Sequence, residues 1–458
     1  MKWLPERSRE AVSPAAVAGA IILGCVCPSG FAGASESRQE MAPEWSERIS
    51  PDEARAIVSR RTGWEICLPN LRELDAATAR ALVESGGFCR LSLPALDQLA
   101  PETAAALASG ECDLDLPAVR SIAPAVAAAL AGHRGRLELC GVTGLSHESA
   151  SAFAGHGGHL VLSGITAMDG AVARGLALQR GTLSLPGLTS LSVGMAEALA
   201  SHVGEGLVLG GLRDVPIEVA DALAAHRGTL ALTGLDRLDP EAARRLAAHG
   251  SPLVLGGPDA ITAEAVESLG SHEGVMTLAS RSEVSVAWVA SLAPHRGTRV
   301  LPDLTMLSPP AAWALAPHRG TLCLPGLAML PVETAQALAD HEGALILSGL
   351  RSIEPESARA LAMHRGSLDL FSLSQTSMLE SVELADLLRS RVASLILSNV
   401  SRLDSRASVA IAESLASSSG FVAIPNLRAA SPQTLATLRR KADIMVPPTE
   451  AIELLPEP

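Results

Sequence analysis

The sequence predicts an α/β solenoid in which each repeat contributes one parallel β-strand and one α-helix. Three observations predict it. Short L-x-L segments recur at a nearly constant spacing, a turn and an amphipathic helix follow each of them, and apolar residues make up 48% of the chain while aromatic residues make up only 2%. One such repeat cannot bury its apolar face, but stacked repeats cover one another. The crossover between successive parallel strands is expected to be right-handed.

The second apolar residue of each L-x-L segment marks the repeat. Successive steps are 25 residues, then 23 residues with a single step of 24, and finally two steps of 27, followed by a weak last copy that ends at Val446. The marked positions are Leu68, Leu93, Leu116, Leu139, Leu162, Leu185, Leu209, Leu232, Leu255, Leu278, Leu301, Leu324, Leu347, Leu370, Leu397 and Ile424.

One repeat shows how strand, turn and helix are encoded. Leu230-Ala231-Leu232 has the period-two alternation of a half-buried strand, and Gly234 follows where the chain must turn tightly. Asp239-Pro240-Glu241 predicts a helix start, with an N-cap side chain, a proline at the first helical position and an acid near the positive end of the dipole. Ser50-Pro51-Asp52-Glu53 predicts a capping box before the first strand.

The pattern L-x-L-x-x-L-x-x-L resembles the leucine-rich-repeat family in a short bacterial form. It occurs, for example, at Leu183, Leu185, Leu188 and Leu191. The resemblance covers residues 64–446 and implies a right-handed leucine-rich-repeat-like solenoid that serves as a binding scaffold, without implying which ligand it binds. The chain departs from the family at the internal turn, where leucines replace the usual asparagine ladder, so backbone groups and the preceding glycine are expected to satisfy that turn.

The first 34 residues have the features of a bacterial secretory signal. Basic residues precede an apolar run over residues 15–27, which is shorter than the roughly 20 residues of a membrane span. Ala32-Gly33-Ala34 predicts cleavage before Ser35. The alternative is lipidation at Cys25, which ends a segment resembling a lipoprotein box and would be the only link to a membrane. Either route predicts export to the periplasm, the cell envelope or the medium.

The remaining domain boundaries follow from the repeat. Residues 35–63 are expected to form an N-terminal cap helix and linker, and residues 64–446 the solenoid. Residues 447–458, which begin with two prolines, are expected to be a disordered C-terminal tail because they are too few to form a domain.

Ten of the twelve histidines occupy one repeat position, and Gln179 fills the missing place. They are His133, His156, His202, His226, His249, His272, His295, His318, His341 and His364. Histidine in a last helical turn can bind orphan carbonyls, which favours a structural role over a metal ladder, since no carboxylate or cysteine stands at a fixed offset. If neighbouring imidazoles lie close together, the array should loosen in mild acid.

Two cysteines stand at equivalent positions of adjacent repeats. Cys89 and Cys112 each precede the marked leucine of their repeat by four residues, so their Cα atoms are expected about 5 Å apart. An exported protein permits a disulfide there, and the alternative is a pair of buried thiols. No C-x-x-C motif occurs, which argues against a zinc or redox site.

Composition and motifs argue against most catalytic and nucleic-acid-binding functions. The formal charge of −13 disfavours a phosphate-binding surface. Lys2 and Lys441 are the only lysines, and the G-x-S-x-G, H-E-x-x-H, Walker and Rossmann motifs do not occur. We therefore expect a protein that is not an enzyme, that needs no cofactor or metal and that has no nucleic-acid partner.

The surface of the sheet is the expected binding surface for a protein or other macromolecule. Its middle stripe is small and mostly apolar, whereas mixed charges gather towards one end and aromatic residues towards the other. The candidate partner-binding residues are Arg90, Asp113, Asp115, Arg136, Glu138, His159, Phe371 and Phe421. The first interpretation is an exported scaffold for protein–protein interaction. The alternatives are a self-associating envelope protein and, remotely, an enzyme whose site carries no recognisable motif.

Overall fold

The computed structural model describes residues 47–60, 64–84, 90–256, 261–279, 282–350, 352–369, 385–387, 394–397, 400–403, 408–417, 421–441 and 443–455. The chain divides into two compact units, residues 1–261 and 262–458. The predicted signal segment, including Cys25, lies outside the described residues, and so do Cys89 and Phe371. Export and the disulfide therefore stay predictions.

The first unit alternates helices and strands along its whole described length. Its helices are Pro51–Arg60, Ala76–Val83, Pro101–Ala108, Pro124–Leu130, His147–Ala152, Gly170–Leu176, Val193–Ala200, Ile217–Ala224 and Pro240–Leu246. Its strands are Glu65–Cys67, Arg90–Ser92, Asp113–Asp115, Leu137–Glu138, Leu160–Val161, Thr182–Ser184, Gly206–Val208, Thr229–Leu232 and Leu253–Leu255.

Within the first unit, each described strand is parallel to its neighbour along the chain and pairs with it. The register aligns Leu91, Leu114 and Leu137, and each of these side chains is at most 1% exposed. Because the recurrent leucines point inward and cover one another between repeats, burial of their apolar surface holds the stack together. The predicted α/β repeat fold is confirmed.

The second unit begins with the same alternation. Its helices are Ala263–Ser268, Val286–Ala290, Pro309–Leu315, Val332–Ala339, Pro355–Leu361, Ser408–Ala416 and Pro432–Arg439. Its strands are Met276–Leu278, Arg299–Val300, Leu322–Cys323, Leu345–Ile346, Leu368–Asp369, Ser394–Ile396, Arg402–Leu403, Phe421–Ala423, Ala429–Ala430, Ile444–Met445 and Glu453–Leu454. The first five strands pair in parallel in chain order.

The last repeats of the second unit carry two strands each, which corrects the prediction of one strand per repeat for this part of the chain. Ser394–Ile396, Phe421–Ala423 and Ile444–Met445 form one parallel sheet. A second parallel sheet contains Arg402–Leu403 and Ala429–Ala430, which pair within it. Both second strands begin five residues after the marked apolar residue of their repeat, at Arg402 after Leu397 and at Ala429 after Ile424, and they find backbone partners in the neighbouring repeat.

The prediction of a disordered C-terminal tail is wrong for residues 447–455. Thr449–Ala451 forms a short 3₁₀ helix, and Glu453–Leu454 pairs with Ala429–Ala430. The amide of Glu453 donates to the carbonyl of Arg428 at 2.7 Å, and the amide of Leu455 donates to the carbonyl of Ala430 at 3.1 Å. These bonds cover the edge of the preceding repeat, which is the role of a capping segment.

The predicted helix starts are present. The amide and hydroxyl of Ser50 donate to the carboxylate of Glu53 at 2.7 and 2.8 Å, and the amide of Glu53 donates back to the Ser50 hydroxyl at 3.3 Å. The Asp239 carboxylate accepts from the amide of Glu241 at 2.9 Å. These bonds satisfy amides that a helix leaves without partners in its first turn.

Glycines bring the backbones of adjacent repeats into close contact. A Cβ atom on Gly181 would overlap the carbonyl oxygen of Gly158, and one on Gly343 would overlap that of Gly320. The turn after each strand has the same property, since a Cβ on Gly187 would overlap the carbonyl oxygen of Ser163. The repeat therefore needs glycine because a neighbouring backbone occupies the space where a side chain would begin.

Leucine replaces the family's asparagine at the internal turn, and the backbone closes that turn. Leu188 and Leu350 are fully buried. The amide of Leu188 donates to the carbonyl of Leu185, and that of Leu350 to the carbonyl of Leu347, both at 3.3 Å. An asparagine side chain is thus unnecessary, as expected from the sequence.

The ten histidines that share one repeat position form what we call the histidine ladder. They are buried, each at most 2% exposed. Neighbouring rings stack with centroids 6.4 Å apart for His133 and His156 and 5.7 Å apart for His318 and His341. The His249 Nδ1 atom lies 3.4 Å from the carbonyl oxygen of Ala224, which ends the helix of the preceding repeat. These contacts support the predicted structural role, because the imidazole reaches a carbonyl that the helix leaves unpaired.

Gln179 continues the ladder without an imidazole. Its Nε2 atom donates to the carbonyl oxygen of Gly158 at 2.9 Å, and its Oε1 atom accepts from the Nε2 atom of His202 at the same distance. An amide side chain can therefore fill a ladder position and still bridge two repeats.

Replacing a stacked glycine by alanine should destabilise the first unit. We expect Gly181→Ala to lower the free energy of unfolding by about 1–3 kcal/mol, because the new methyl group displaces the Gly158 backbone. Gly157→Ala is the matched control, since no heavy atom lies within 4 Å of its Cβ position, and it should change stability by less than about 0.5 kcal/mol. Urea denaturation followed by circular dichroism measures both, and equal losses would contradict the packing argument.

The ladder should make the protein less stable in acid. Burial, and then the charge of a neighbouring imidazole, lowers the pKa of His202 and of His226 to about 4. Above about pH 6.5 these imidazoles are neutral in both the folded and the unfolded chain. Below about pH 6.5 the unfolded chain takes up protons while the folded chain does not, so the free energy of unfolding falls between about pH 6.5 and 4. At pH 5 each such imidazole lowers the free energy of unfolding by roughly 2 kcal/mol relative to neutral pH. The melting temperature should drop from pH 7.5 to 5, and a flat profile would reject this expectation.

Candidate interaction face on the sheet

Six of the candidate residues lie together at the N-terminal strands of the first unit. The register aligns Arg90 with Asp113, and Asp115 with Glu138. The residues between them in each strand, Leu91 and Leu114, are buried. Since side chains alternate along a strand, the charged residues point to the opposite surface. We call Arg90, Asp113, Asp115, Arg136, Glu138 and His159 the charged face.

Glu138 lies at the centre of the charged face. Its Oε1 atom accepts from Arg136 Nε at 2.5 Å, and its Oε2 atom accepts from Arg90 Nη2 at 3.2 Å. Only 12% of the Glu138 side chain is exposed. Two guanidinium groups from two other strand positions thus share one largely buried carboxylate, which fixes all three side chains relative to one another.

The aspartates extend the same network. Asp115 Oδ2 accepts from Arg90 Nη2 at 2.9 Å and from the Ser92 hydroxyl at 3.0 Å. Asp113 Oδ1 accepts from the backbone amide of Arg136 at 3.0 Å. Burial lowers the pKa of Arg90, but the hydrogen bond to Asp115 and the charge of Glu138 outweigh burial, so the net pKa is raised. Arg90 therefore stays charged at any physiological pH.

His159 is the neutral end of the network. Arg136 Nη1 lies 3.2 Å from His159 Nδ1, and since a guanidinium can only donate, the imidazole nitrogen accepts. Burial, then the charge of Arg136 and then that of His156, lower the pKa of His159 to about 4. At neutral pH the single proton of this ring is therefore on Nε2, which is buried.

The other candidate residues do not join the charged face. Phe421 lies on a strand of the second unit and is 41% exposed, and Phe371 lies outside the described residues. Cys112 is buried. Its proposed partner, Cys89, is outside the described residues, so the disulfide stays a prediction.

Most of the middle stripe of the sheet is buried, and only Val254 and Ile346 are partly exposed. The stripe comprises Val208, Ala231, Val254, Thr277, Val300, Cys323 and Ile346. Val208 and Ala231 in the first unit are 3% and 0% exposed, and Val300 in the second unit is 3% exposed. Parallel strands lie about 4.8 Å apart, so in-register side chains of this size contact one another and leave little area free. At Val208, Ala231 and Val300 the stripe therefore exposes almost no apolar surface to a partner. Trp313, on a helix of the second unit, is 50% exposed.

A shallow cavity of about 620 Å³ lies at the turns that follow the N-terminal strands of the first unit. Its lining includes the charged residues Arg72, Asp97 and Arg120, together with Cys140. Cys140 comes two residues after Glu138, so the cavity adjoins the charged face. It offers a partner both signs of charge.

The hydroxyl, imidazole and thiol groups in and around the charged face are bound to neighbouring side chains. The Ser92 hydroxyl donates to the Asp115 carboxylate, and burial, followed by the charge of Arg136, keeps His159 neutral. Burial raises the pKa of the Cys140 thiol, which donates to the Ser163 hydroxyl at 3.6 Å. In the described residues no group of three or more His, Cys, Asp or Glu side chains is arranged to hold a metal ion. The helices of the described segments include none with the length and hydropathy of a membrane span.

Three polar residues were missed by the sequence analysis. Ser92 and Glu65 belong to the network, the latter through an ion pair of 3.7 Å with Arg90 Nε. Arg299 is fully buried in the second unit. Its signal was visible in the repeat, because Arg299 stands at the first position of an L-x-L segment, where the neighbouring repeats carry Leu or Met.

Comparison with solved structures finds leucine-rich-repeat proteins. A leucine-rich-repeat protein of Leptospira interrogans shares 15% identity at a TM-score of 0.36, over 87% of this chain and 99% of that chain. An internalin of Listeria monocytogenes shares 11% identity at a TM-score of 0.30, over 86% and 93% of the two chains. Mouse RP105, solved as a complex with MD-1, shares 14% identity at a TM-score of 0.36, over 81% and 73%.

No family model matches the sequence, and no curated protein matches it. The assignment to an α/β repeat fold rests on the strand and helix that recur along the chain itself.

Neutralising the central carboxylate should destabilise the first unit. We expect Glu138→Gln to lower the free energy of unfolding by roughly 2 kcal/mol, because two arginines lose a shared, largely buried partner. Asp236→Asn is the matched control: it breaks an ion pair with Arg213 whose side chains are 68% and 65% exposed, and it should cost less than about 0.5 kcal/mol. Urea denaturation compares the two, and a loss at Glu138 no larger than that at Asp236 would contradict the network.

Proposed function

We propose that this protein is an exported, non-catalytic scaffold that binds another protein through the charged face. The observation that carries the proposal is the preformed network around Glu138, in which charged side chains from successive strands are held on the open surface of the sheet. A repeat sheet is a rigid platform, and function is expected where side chains depart from the repeat. The charged face is such a departure, since later strands carry small side chains there.

The charges suggest what the partner presents. Counting Glu65, the network holds four carboxylates and two guanidinium groups, which gives a formal charge of −2. Both oxygens of Glu138 are already occupied by arginines. A partner surface with lysine or arginine side chains would complement Asp113 and Asp115.

Pairing within the face also favours binding energetically. Arg90 and Arg136 are only 31% and 17% exposed and are fixed by hydrogen bonds before any partner arrives. Their ordering therefore costs little on association. Steering by the net negative charge would make the association rate fall as salt is added.

Self-association is the second candidate, and exposed apolar side chains of the second unit favour it. Met306, Met329 and Trp313 are 63%, 73% and 50% exposed. Met306 and Met329 are one 23-residue repeat apart, so they occupy equivalent positions in neighbouring repeats. Concentration-dependent light scattering of the purified chain tests this candidate, and a constant monomer mass would reject it.

Export is part of the proposal because the binding partner must share the compartment. The support is the basic start, the short apolar run and the small residues before Ser35. Mass spectrometry of the mature protein should find an amino terminus at Ser35, or at a lipidated Cys25. An intact Met1 on the mature protein would overturn this part.

Reversing charge on the face should abolish partner contact. A photo-crosslinking residue at Cys67, which is exposed and pairs in register with Ser92, should capture a partner in the native envelope. Asp113→Lys with Asp115→Lys in the same chain should reduce that product at least tenfold, because two attractive contacts become repulsive. Asp236→Lys, an exposed reversal on the same unit, is the control and should leave the yield unchanged.

Two results would contradict the proposal. One is an equal yield from a photo-crosslinking residue at Glu218, which lies on a helix and is exposed. The other is a yield that the double reversal leaves unchanged while circular dichroism shows the chain folded. A product whose mass is that of two copies of this chain would favour self-association instead.

A further inference from the structure

Arg299 is a cation in the core of the second unit. It pairs in register with Met276 on one side and Leu322 on the other, and both of these side chains point inward and are fully buried. Arg299 takes the same inward position and is itself 0% exposed. A guanidinium at a leucine position is costly unless its protons are satisfied.

The guanidinium is held by the histidine ladder and the backbone beside it. Nε donates to His295 Nδ1 at 3.1 Å, and Nη2 donates to the carbonyl oxygen of His272 at 2.6 Å. Nη1 donates to the carbonyl oxygens of Gly274 and Thr298, both at 3.0 Å. Arg299 thus ties its own repeat to the preceding one through one imidazole and three carbonyls.

The titratable groups that face Arg299 are the imidazoles of His272, His295 and His318. In the described part of the chain, no carboxylate forms an ion pair with this arginine. Burial lowers the pKa of Arg299 to about 10, so the group is still charged at neutral pH. Burial, then the charge of Arg299 and then that of His318, lower the pKa of His295 to about 4.

The contact with His295 exists only while that imidazole is neutral. A guanidinium has no acceptor, so Nδ1 of His295 must carry a lone pair and its single proton must be on Nε2. A proton on Nδ1 would remove the hydrogen bond and place two positive charges about 3 Å apart in a site closed to water. The closed arrangement cannot accept that proton, whereas an opened one can.

We propose that the Arg299–His295 contact is an acid-sensitive latch, and that the second unit opens first at the repeats it joins when the pH falls. The elements released are the helices Val286–Ala290 and Pro309–Leu315, which precede His295 and His318 and pack against each other. Other ladder positions lack this arginine: His341 stacks between His318 and His364, at 5.7 and 6.0 Å. Opening at Arg299 would expose the buried Leu292 and Leu315 to the medium.

Hydrogen–deuterium exchange on the full chain, corrected for intrinsic rates, tests the latch. From pH 6.5 to 5 the protection of amides in residues 286–295 and 309–318 should fall about tenfold per pH unit for each proton taken up on opening. His295→Gln should weaken this dependence by one proton, which is about tenfold less change per pH unit, because a glutamine carbonyl can accept from Arg299 Nε and does not titrate, whereas His318 still does. Gln179 shows that the ladder accommodates glutamine. His341→Gln is the matched control and should leave the effect at residues 286–295 intact.

Arg299→Leu restores the residue type of the repeat and should also weaken the local pH dependence. Should His295→Gln fail to fold, this second variant decides the question. The proposal is overturned if residues 286–295 keep the same pH dependence in either folded variant. It is equally overturned if, in the unmodified chain, amides around His341 lose protection at a higher pH than those around His295.

Discussion

The contact between one repeat and the next is the constraint on which the structure depends. A strand of two to four residues and a helix of five to ten residues are too short to be stable in isolation. Their leucines are buried only because the neighbouring repeat covers them. The same contact requires glycine at particular positions, since the carbonyl oxygen of Gly158 occupies the place where a side chain on Gly181 would begin. Stability in such an array is a sum of interfaces between neighbours.

Polar groups within this array are tolerated where they close gaps that stacking leaves in the backbone. His249 reaches the last carbonyl of the preceding helix, and the amide group of Gln179 donates to the backbone carbonyl of Gly158. Arg299 goes further, because its guanidinium gathers three carbonyls and one imidazole inside the core. In each case the imidazoles are neutral and buried. Protonation of these imidazoles therefore destabilises the same contacts between repeats that hold the chain together.

The charged face follows from the same geometry, on the other surface of the sheet. In-register parallel strands place equivalent positions side by side, so residues 23 or 25 positions apart in the sequence become neighbours. Counting along the repeat was therefore enough to predict that Arg90, Asp115 and Glu138 would meet. It did not predict that Glu138 would be shared by two arginines, or that Ser92 would bind Asp115, because side-chain rotamers and burial decide those contacts.

The sequence by itself determined the repeat, its inward leucines, its helix starts and the alignment of the ladder histidines, because a fixed period carries each position to the same place in every repeat. Tertiary structure decided what happens where the period changes. The repeats after Leu397 gained a second strand, the end of the chain paired with Ala429–Ala430 instead of remaining disordered, and Arg299 turned inward to the ladder. In each case backbone and side-chain groups found hydrogen-bond partners in a neighbouring repeat, and local sequence does not encode the position of those partners.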